Sequence, residues 1–160
     1  MGMEIRDVQA ADNAQLAAII RRAFEEHGAP REGSVYSDAS TDDLFGLFQT
    51  AGSHLLVALD GGELAGCCGV YPTDGLPEGY AELVKFYLRR ESRGKGLGKR
   101  LLEANIALGA EMGYRQMYLE SFPEFGAAVG MYERLGFQRL DHPLGQSGHT
   151  ACTIWMLRPL

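Results

Sequence analysis

One stretch of the chain combines residue types and spacing suited to gripping phosphate. It runs Glu91-Ser92-Arg93-Gly94-Lys95-Gly96-Leu97-Gly98-Lys99-Arg100-Leu101-Leu102. It lies between a run that reads as a strand and one that reads as a helix. The first N–H groups of a helix have no partners inside it, and with the positive end of the helix dipole they attract phosphate oxygens. Glycines at 94, 96 and 98 permit positive φ and let the backbone approach a ligand closely. Arg93, Lys95, Lys99 and Arg100 add positive charge to an otherwise acidic chain. These features describe a diphosphate cradle. The plain alternative is a solvated strand–helix turn with glycines for geometry only.

Two familiar phosphate loops do not fit. A nucleotide P-loop requires G-x-x-x-x-G-K-[ST], but Gly94 and Gly98 are too close and Arg100 follows Lys99. A dinucleotide fingerprint requires G-x-G-x-x-G, and Lys99 stands where the last glycine belongs.

The elements that must position this turn follow from periodicity. Glu4–Val8 reads as a strand, followed by a helix entered at Asp12, with Gln15 placed for a capping box and Leu16, Ile19, Ile20 and Phe24 as its apolar stripe. A polar segment, 28–39, leads to a short helix entered at Ser40. Strands are predicted over Leu55–Leu59 and Glu63–Tyr71, joined at Asp60-Gly61-Gly62, and over Tyr80–Leu88. A helix runs from Gly98 to a Gly113 cap, a strand follows over Met117–Ser121, then a helix ends at Gly136. Strands over Phe137–Leu140 and Ala151–Leu157 complete the order βααβββαβαββ. Such an order implies an α/β (α+β) fold with a mixed sheet covered on its faces.

With 160 residues and no internal linker, the whole of 1–160 is expected to form one domain. No run approaches the roughly 20 apolar residues of a membrane span. The N-terminus lacks an apolar leader, so a cytoplasmic location is expected. Cys67, Cys68 and Cys152 form neither a disulfide framework nor a zinc pattern, and no metal is expected. A net charge of −6 argues against nucleic acid and anionic membranes as partners, though not against one small anion.

The strand Glu82-Leu83-Val84-Lys85-Phe86-Tyr87-Leu88, followed by Arg93-Gly94-Lys95-Gly96-Leu97-Gly98, resembles the acetyl-CoA motif of the GCN5-related N-acetyltransferases, the GNAT superfamily. Arg93, Gly96 and Gly98 match its [RQ]-x-x-G-x-[GA] pattern. A second hallmark, Ala128-x-x-x-Tyr132-Glu133-x-x-Gly136-Phe137, lies at the expected separation, and the element order matches nearly throughout. The family's frequent proline is Arg90 here. Its frequent asparagine, a pantetheine contact, is Phe125, with Ser121 or Glu120 as stand-ins.

The resemblance implies an acyl-CoA-dependent N-acyltransferase with a GNAT-like, mostly antiparallel sheet splayed at the acyl-CoA site. Acetyl-CoA is the implied co-substrate, held by Phe86, Tyr87 and Leu88 of the splayed strand and by Arg93, Gly94, Lys95, Gly96, Leu97, Gly98 and Lys99 of the turn. The Leu88 N–H is the implied oxyanion donor. Tyr132 is the implied general acid on the departing thiolate, or else a packed core ring. Glu82, an acidic residue within an apolar strand, suggests a polar cleft and is the candidate base; Glu120 is second choice, and a plain strand-surface carboxylate is the alternative. His149 lies in a loop that could reach the acceptor, although an ordinary loop histidine is the simpler reading. His142 and the Cys67–Cys68 pair read as structural. The acceptor is expected to be a small primary amine, and a homodimer is left open. A non-catalytic acyl-CoA sensor, or a transferase acting on a protein N-terminus or lysine, would share these motifs.

Overall fold

In the computed structural model, which describes residues 2–160, the run Leu64–Val70 is buried throughout. Its strand, β3 (Glu63–Tyr71), is flanked by β2 (His54–Asp60) and β4 (Tyr80–Leu88). β1 (Met3–Asp7) extends the sheet beyond β2, while β5 (Gln116–Ser121), β7 (Ile154–Pro159) and β6 (Gln138–Leu140) follow β4. The seven-stranded order is β1-β2-β3-β4-β5-β7-β6, antiparallel everywhere except between β4 and β5. Small residues let β3 occupy this central place. A side chain at Gly66 would meet the Tyr87 carbonyl oxygen at 2.2 Å, so β4 could not lie where it does.

Alternation along the strands divides the core into two layers. Leu55, Val57 and Cys67 pack beneath α1 (Asn13–His27) and α2 (Leu44–Leu47), against Leu16, Ile20, Phe24 and Leu44. Ala58, Cys68 and Val70 face α3 (Leu97–Glu111) and α4 (Gly126–Arg134), against Leu101, Leu102 and Val129. The adjacent cysteines therefore serve opposite layers, both as free buried thiols.

Element order follows the sequence reading, but some ends differ. Asp12 does not cap α1 with Gln15. Its carboxylate accepts from both Arg6 Nη atoms (2.8 and 3.0 Å) and from the Gln9 N–H (2.8 Å), closing a 3₁₀ turn at Ala10–Asp12. An arginine across the strand outcompetes the local backbone because its paired N–H groups match the carboxylate fork. Ser40 opens no helix either. It lies within another 3₁₀ turn, Ala39–Asp42, and α2 is capped by Asp43, which accepts from the Gly46 N–H (2.9 Å). The last strand begins at Ile154, three residues later than Ala151, because residues 149–152 form a turn closed by Cys152 N–H to His149 O.

Candidate functional site

β4 and β5 pair only at Tyr80–Gln116, Ala81–Met117 and Glu82–Tyr118. Past Glu82 the parallel strands separate, and β4 keeps only β3 as a neighbour. The same part of β4 carries a bulge, since Cys68 faces both Lys85 and Phe86, and Lys85 takes the left-handed value φ 59°. The Cys67 thiol donates to the Lys85 carbonyl at 3.0 Å and holds this bend.

On one side of the gap is a cavity of about 310 Å³. Phe86, Tyr87 and Leu88 form its strand wall, and Arg93, Gly94, Gly96, Gly98 and Lys99 form its floor. Gly94 and Gly96 have φ of +77° and +84°, and Gly96 ends at the free N-terminus of the 15-residue α3. Unpartnered N–H groups of Leu97, Gly98 and Lys99 therefore collect at the cavity mouth. Gly98 is small for a different reason: a Cβ there would sit 3.2 Å from both Phe86 and Leu88.

Two expected cofactor residues do not line the cavity with their side chains. Leu97 is fully buried in the core beside Leu101. The Lys95 ammonium reaches Asp60 at 3.1 Å and does not line the cavity. Arg93 lines it, but its guanidinium donates to the Leu88 carbonyl (3.1 and 2.9 Å) and to Glu26 (2.9 Å). That contact also orients the strand. Arg89 N–H donates to Ala65 O at 2.7 Å, so by antiparallel alternation Tyr87 turns its backbone groups toward β3 and Leu88 turns its own into the gap. With its carbonyl taken by Arg93, Leu88 presents a free N–H there.

A narrow throat of about 50 Å³ continues from this cavity between β4 and β5. Tyr132 from α4 enters it, edge-on to Phe86 (ring centroids 6.0 Å) and Phe137 (5.9 Å). Its hydroxyl has no hydrogen-bond partner among the described residues, and burial holds it protonated by raising its pKa. Glu82 faces the same throat and is 4 % exposed. Burial pushes its carboxyl up to about 8 despite the hydrogen bond from Thr73 (2.6 Å) and the Lys85 charge, and Glu120 adds to the rise. Glu120 also lines the throat, accepting from Tyr118 (2.7 Å) and Ser147.

Beyond the throat a second cavity, about 280 Å³, shares Glu82, Val84, Lys85 and His149 with it. Three loops roof this cavity and are tied to one another. His149 Nε2 lies 3.2 Å from Asp38, Ser147 bonds Glu120, and Gln146 N–H donates to Asp74 O (2.7 Å). His149 is thus brought to the site by a contact spanning 111 residues.

Residues 14–137 match the model of the Acetyltransferase (GNAT) family. The N-acetyltransferase YjgM of Escherichia coli K12 is 34% identical over 157 residues, spanning 98% of this chain and 94% of that one. The chain belongs to the GNAT acetyltransferase family. Among solved structures, a GNAT-family acetyltransferase from Staphylococcus aureus Mu50 superposes with a TM-score of 0.84 at 18% identity, over 99% of both chains. A phosphinothricin acetyltransferase from Sinorhizobium meliloti, in complex with acetyl-CoA, has a TM-score of 0.79 at 25% identity, over 100% of this chain and 89% of that one.

In this GNAT enzyme the expected asparagine position is an aromatic wall. Phe125 packs on Phe24 (5.2 Å), His27 (5.1 Å) and Tyr87 (6.0 Å) and separates the larger cavity from the throat. Three groups that sequence reasoning passed over line the candidate site. His27 and Arg134 line the larger cavity from α1 and α4, each in the last turn of its helix. Arg134 follows the Tyr132-Glu133 motif by one residue, and a basic residue so placed was a usable signal. Lys85 is the third, and its burial at 7 % exposure had no sequence signal.

Proposed function

We propose that the enzyme transfers the acetyl group of acetyl-CoA to a small primary amine by direct attack, with Tyr132 as general acid and Glu82 as base. The observation carrying this reading is the passage through the β4–β5 gap. A donor-sized cavity and an acceptor-sized cavity meet at a throat that holds a neutral hydroxyl and a carboxyl of raised pKa.

The residues fit the donor. The exposed α3 terminus and the glycines at +77° and +84° suit a diphosphate, and the unpaired β4 edge suits the amide-bearing arm. Acetyl-CoA supplies an activated acyl group on a sulfur that leaves as a thiolate. Leu88 N–H donates to the oxygen on which charge develops, a fixed dipole needing little reorganisation. Glu82, when ionised, removes a proton from the ammonium directly or through water, leaving a lone pair to form the C–N bond. Tyr132 gives its proton to the sulfur as the C–S bond breaks, and the second proton shed by the nitrogen as the amide forms returns the tyrosinate to its neutral form, directly or through water. Phe125 and Phe86 exclude water from the throat walls. A roofed acceptor cavity of about 280 Å³ favours a small molecule over a protein terminus.

The test is incubation with acetyl-CoA, a library of amines and a free-thiol reagent, followed by mass spectrometry. Acetylated amine released with stoichiometric thiol is the expected result. Acetyl-CoA binding with no transfer to any amine, or thiol release without an acetylated amine, would overturn it.

A further inference from the structure

The Lys85 side chain is largely buried, yet its amino group has no protein partner. Among the described residues its ammonium makes no hydrogen bond or ion pair, although it is 7 % exposed and lines both the throat and the acceptor cavity. Every neighbouring carboxylate is already engaged. Asp38 accepts from the Ser40 N–H and hydroxyl and faces His149, Glu82 accepts from Thr73, and Glu120 accepts from Tyr118 and Ser147. An ammonium that opens only onto a small cavity is poorly hydrated, and an anion that takes its free donors offsets that cost. The bulge that aims Lys85 is itself uncommon, because a non-glycine residue at φ 59° needs the surrounding structure to hold it.

We infer that Lys85 receives the carboxylate of the acceptor, and that the acceptor class is therefore α-amino acids. The identification of this ligand as the acceptor rests on the transferase reading above; the binding role of Lys85 does not. The geometry suits a small zwitterion. Lys85 precedes Leu88 by three residues, at most about 10 Å along the strand at ~3.3 Å per residue. A molecule whose nitrogen faces Glu82 can direct a carboxylate one carbon away to the adjacent Lys85. The acids around the throat attract the ammonium, and Lys85 fixes its orientation. Burial lowers the Lys85 pKa although Asp38, and Glu82 when ionised, oppose the fall, and a bound carboxylate would act in the same raising direction.

The test separates binding from turnover. With the chain saturated by CoA, which cannot react, calorimetry measures binding of three matched ligands: an α-amino acid, its amide, and the amine with hydrogen in place of the carboxylate. The series is run for one small, one large apolar and one polar side chain. In at least one series the acid should bind on the order of tenfold or more tightly than its amide, as a charged hydrogen bond implies. Lys85→Met, which keeps the unbranched stem, should reduce that ratio to about one. Lys85→Arg should retain part of it, and the thermal shift with CoA checks that both variants fold. No preference for acids in the parent chain, no binding by any acid, or a preference surviving in Lys85→Met would overturn the inference. Turnover of the same ligands with acetyl-CoA is measured separately. Acids that bind through Lys85 but are never acetylated would sink the transferase reading and leave the binding role standing. Acids and amides acetylated equally well, with Lys85→Met slowing both alike, would do the reverse.

Discussion

The Thr73 hydroxyl donates to Glu82 Oε1 at 2.6 Å, and both side chains line the cavity beyond the throat. That bond favours the carboxylate, yet desolvation inside the sheet outweighs it and the carboxyl rises to about 8. At neutral pH most Glu82 side chains therefore carry a proton, and the fraction able to act as base grows through that value.

The pH–rate profile should show this directly. kcat/KM is expected to rise with pH to about 8, and Glu82→Gln should remove that limb while leaving acetyl-CoA affinity nearly unchanged. A series of amines of different basicity distinguishes the source. A limb that stays fixed across the series belongs to the protein, whereas one that moves with the amine indicates no enzymic base. Persistence of a fixed limb in Glu82→Gln would transfer the role to another group, with Glu120 and His149 next in line.

The same residue affects stability. Its folded pKa of about 8 lies above the unfolded value near 4.5, so below pH 4.5 both states hold the proton and its contribution is fully present. Between about 4.5 and 8 only the unfolded chain releases it, and stability falls by up to about 1.4 kcal/mol per pH unit. Glu82→Gln cannot titrate and accepts the same Thr73 hydrogen bond. Denaturant unfolding at about pH 5, 6.5 and 8 should show the variant gaining on the parent at each step. A difference independent of pH would mean that Glu82 ionises normally in the folded chain.

Tyr132→Phe deletes a hydroxyl with no partner among the described residues. Thermal stability should hold or rise slightly, and acetyl-CoA affinity should change little. Turnover should fall by on the order of 10²–10⁴-fold, or less because a thiolate leaves readily. Unchanged turnover at saturating amine would return Tyr132 to a packing role against Phe86 and Phe137.

CoA should raise the melting temperature, since only the folded cavity binds it. At Gly96 (φ +84°) a side chain would meet no protein atom within 4 Å, so the cost of Gly96→Val is backbone strain, about 1–3 kcal/mol, together with loss of the space a ligand would use. The variant should fold with a lowered melting temperature that CoA no longer raises. A normal shift would place the phosphates elsewhere.

Short-range physics made part of this protein legible from its residues. The burial of β3, the 15-residue α3 and the glycines that open it all follow from periodicity and backbone freedom within a few residues. Tyr132 and the turn around Gly96 were singled out by motif, because the chain segments that carry them are contiguous. Asp12 escaped that logic when Arg6 captured its carboxylate. The site's chemistry depended on longer range. Strand separation past Glu82, the bulge at Lys85, the vacant ammonium there, and the meeting of Thr73, Asp38, Ser147 and His149 around the throat all arise from which strands pair and where they stop. Local sequence sets each residue's preferred conformation, but the dielectric and partners that decide its charge come from segments as much as 111 residues away, and only the folded chain brings them together.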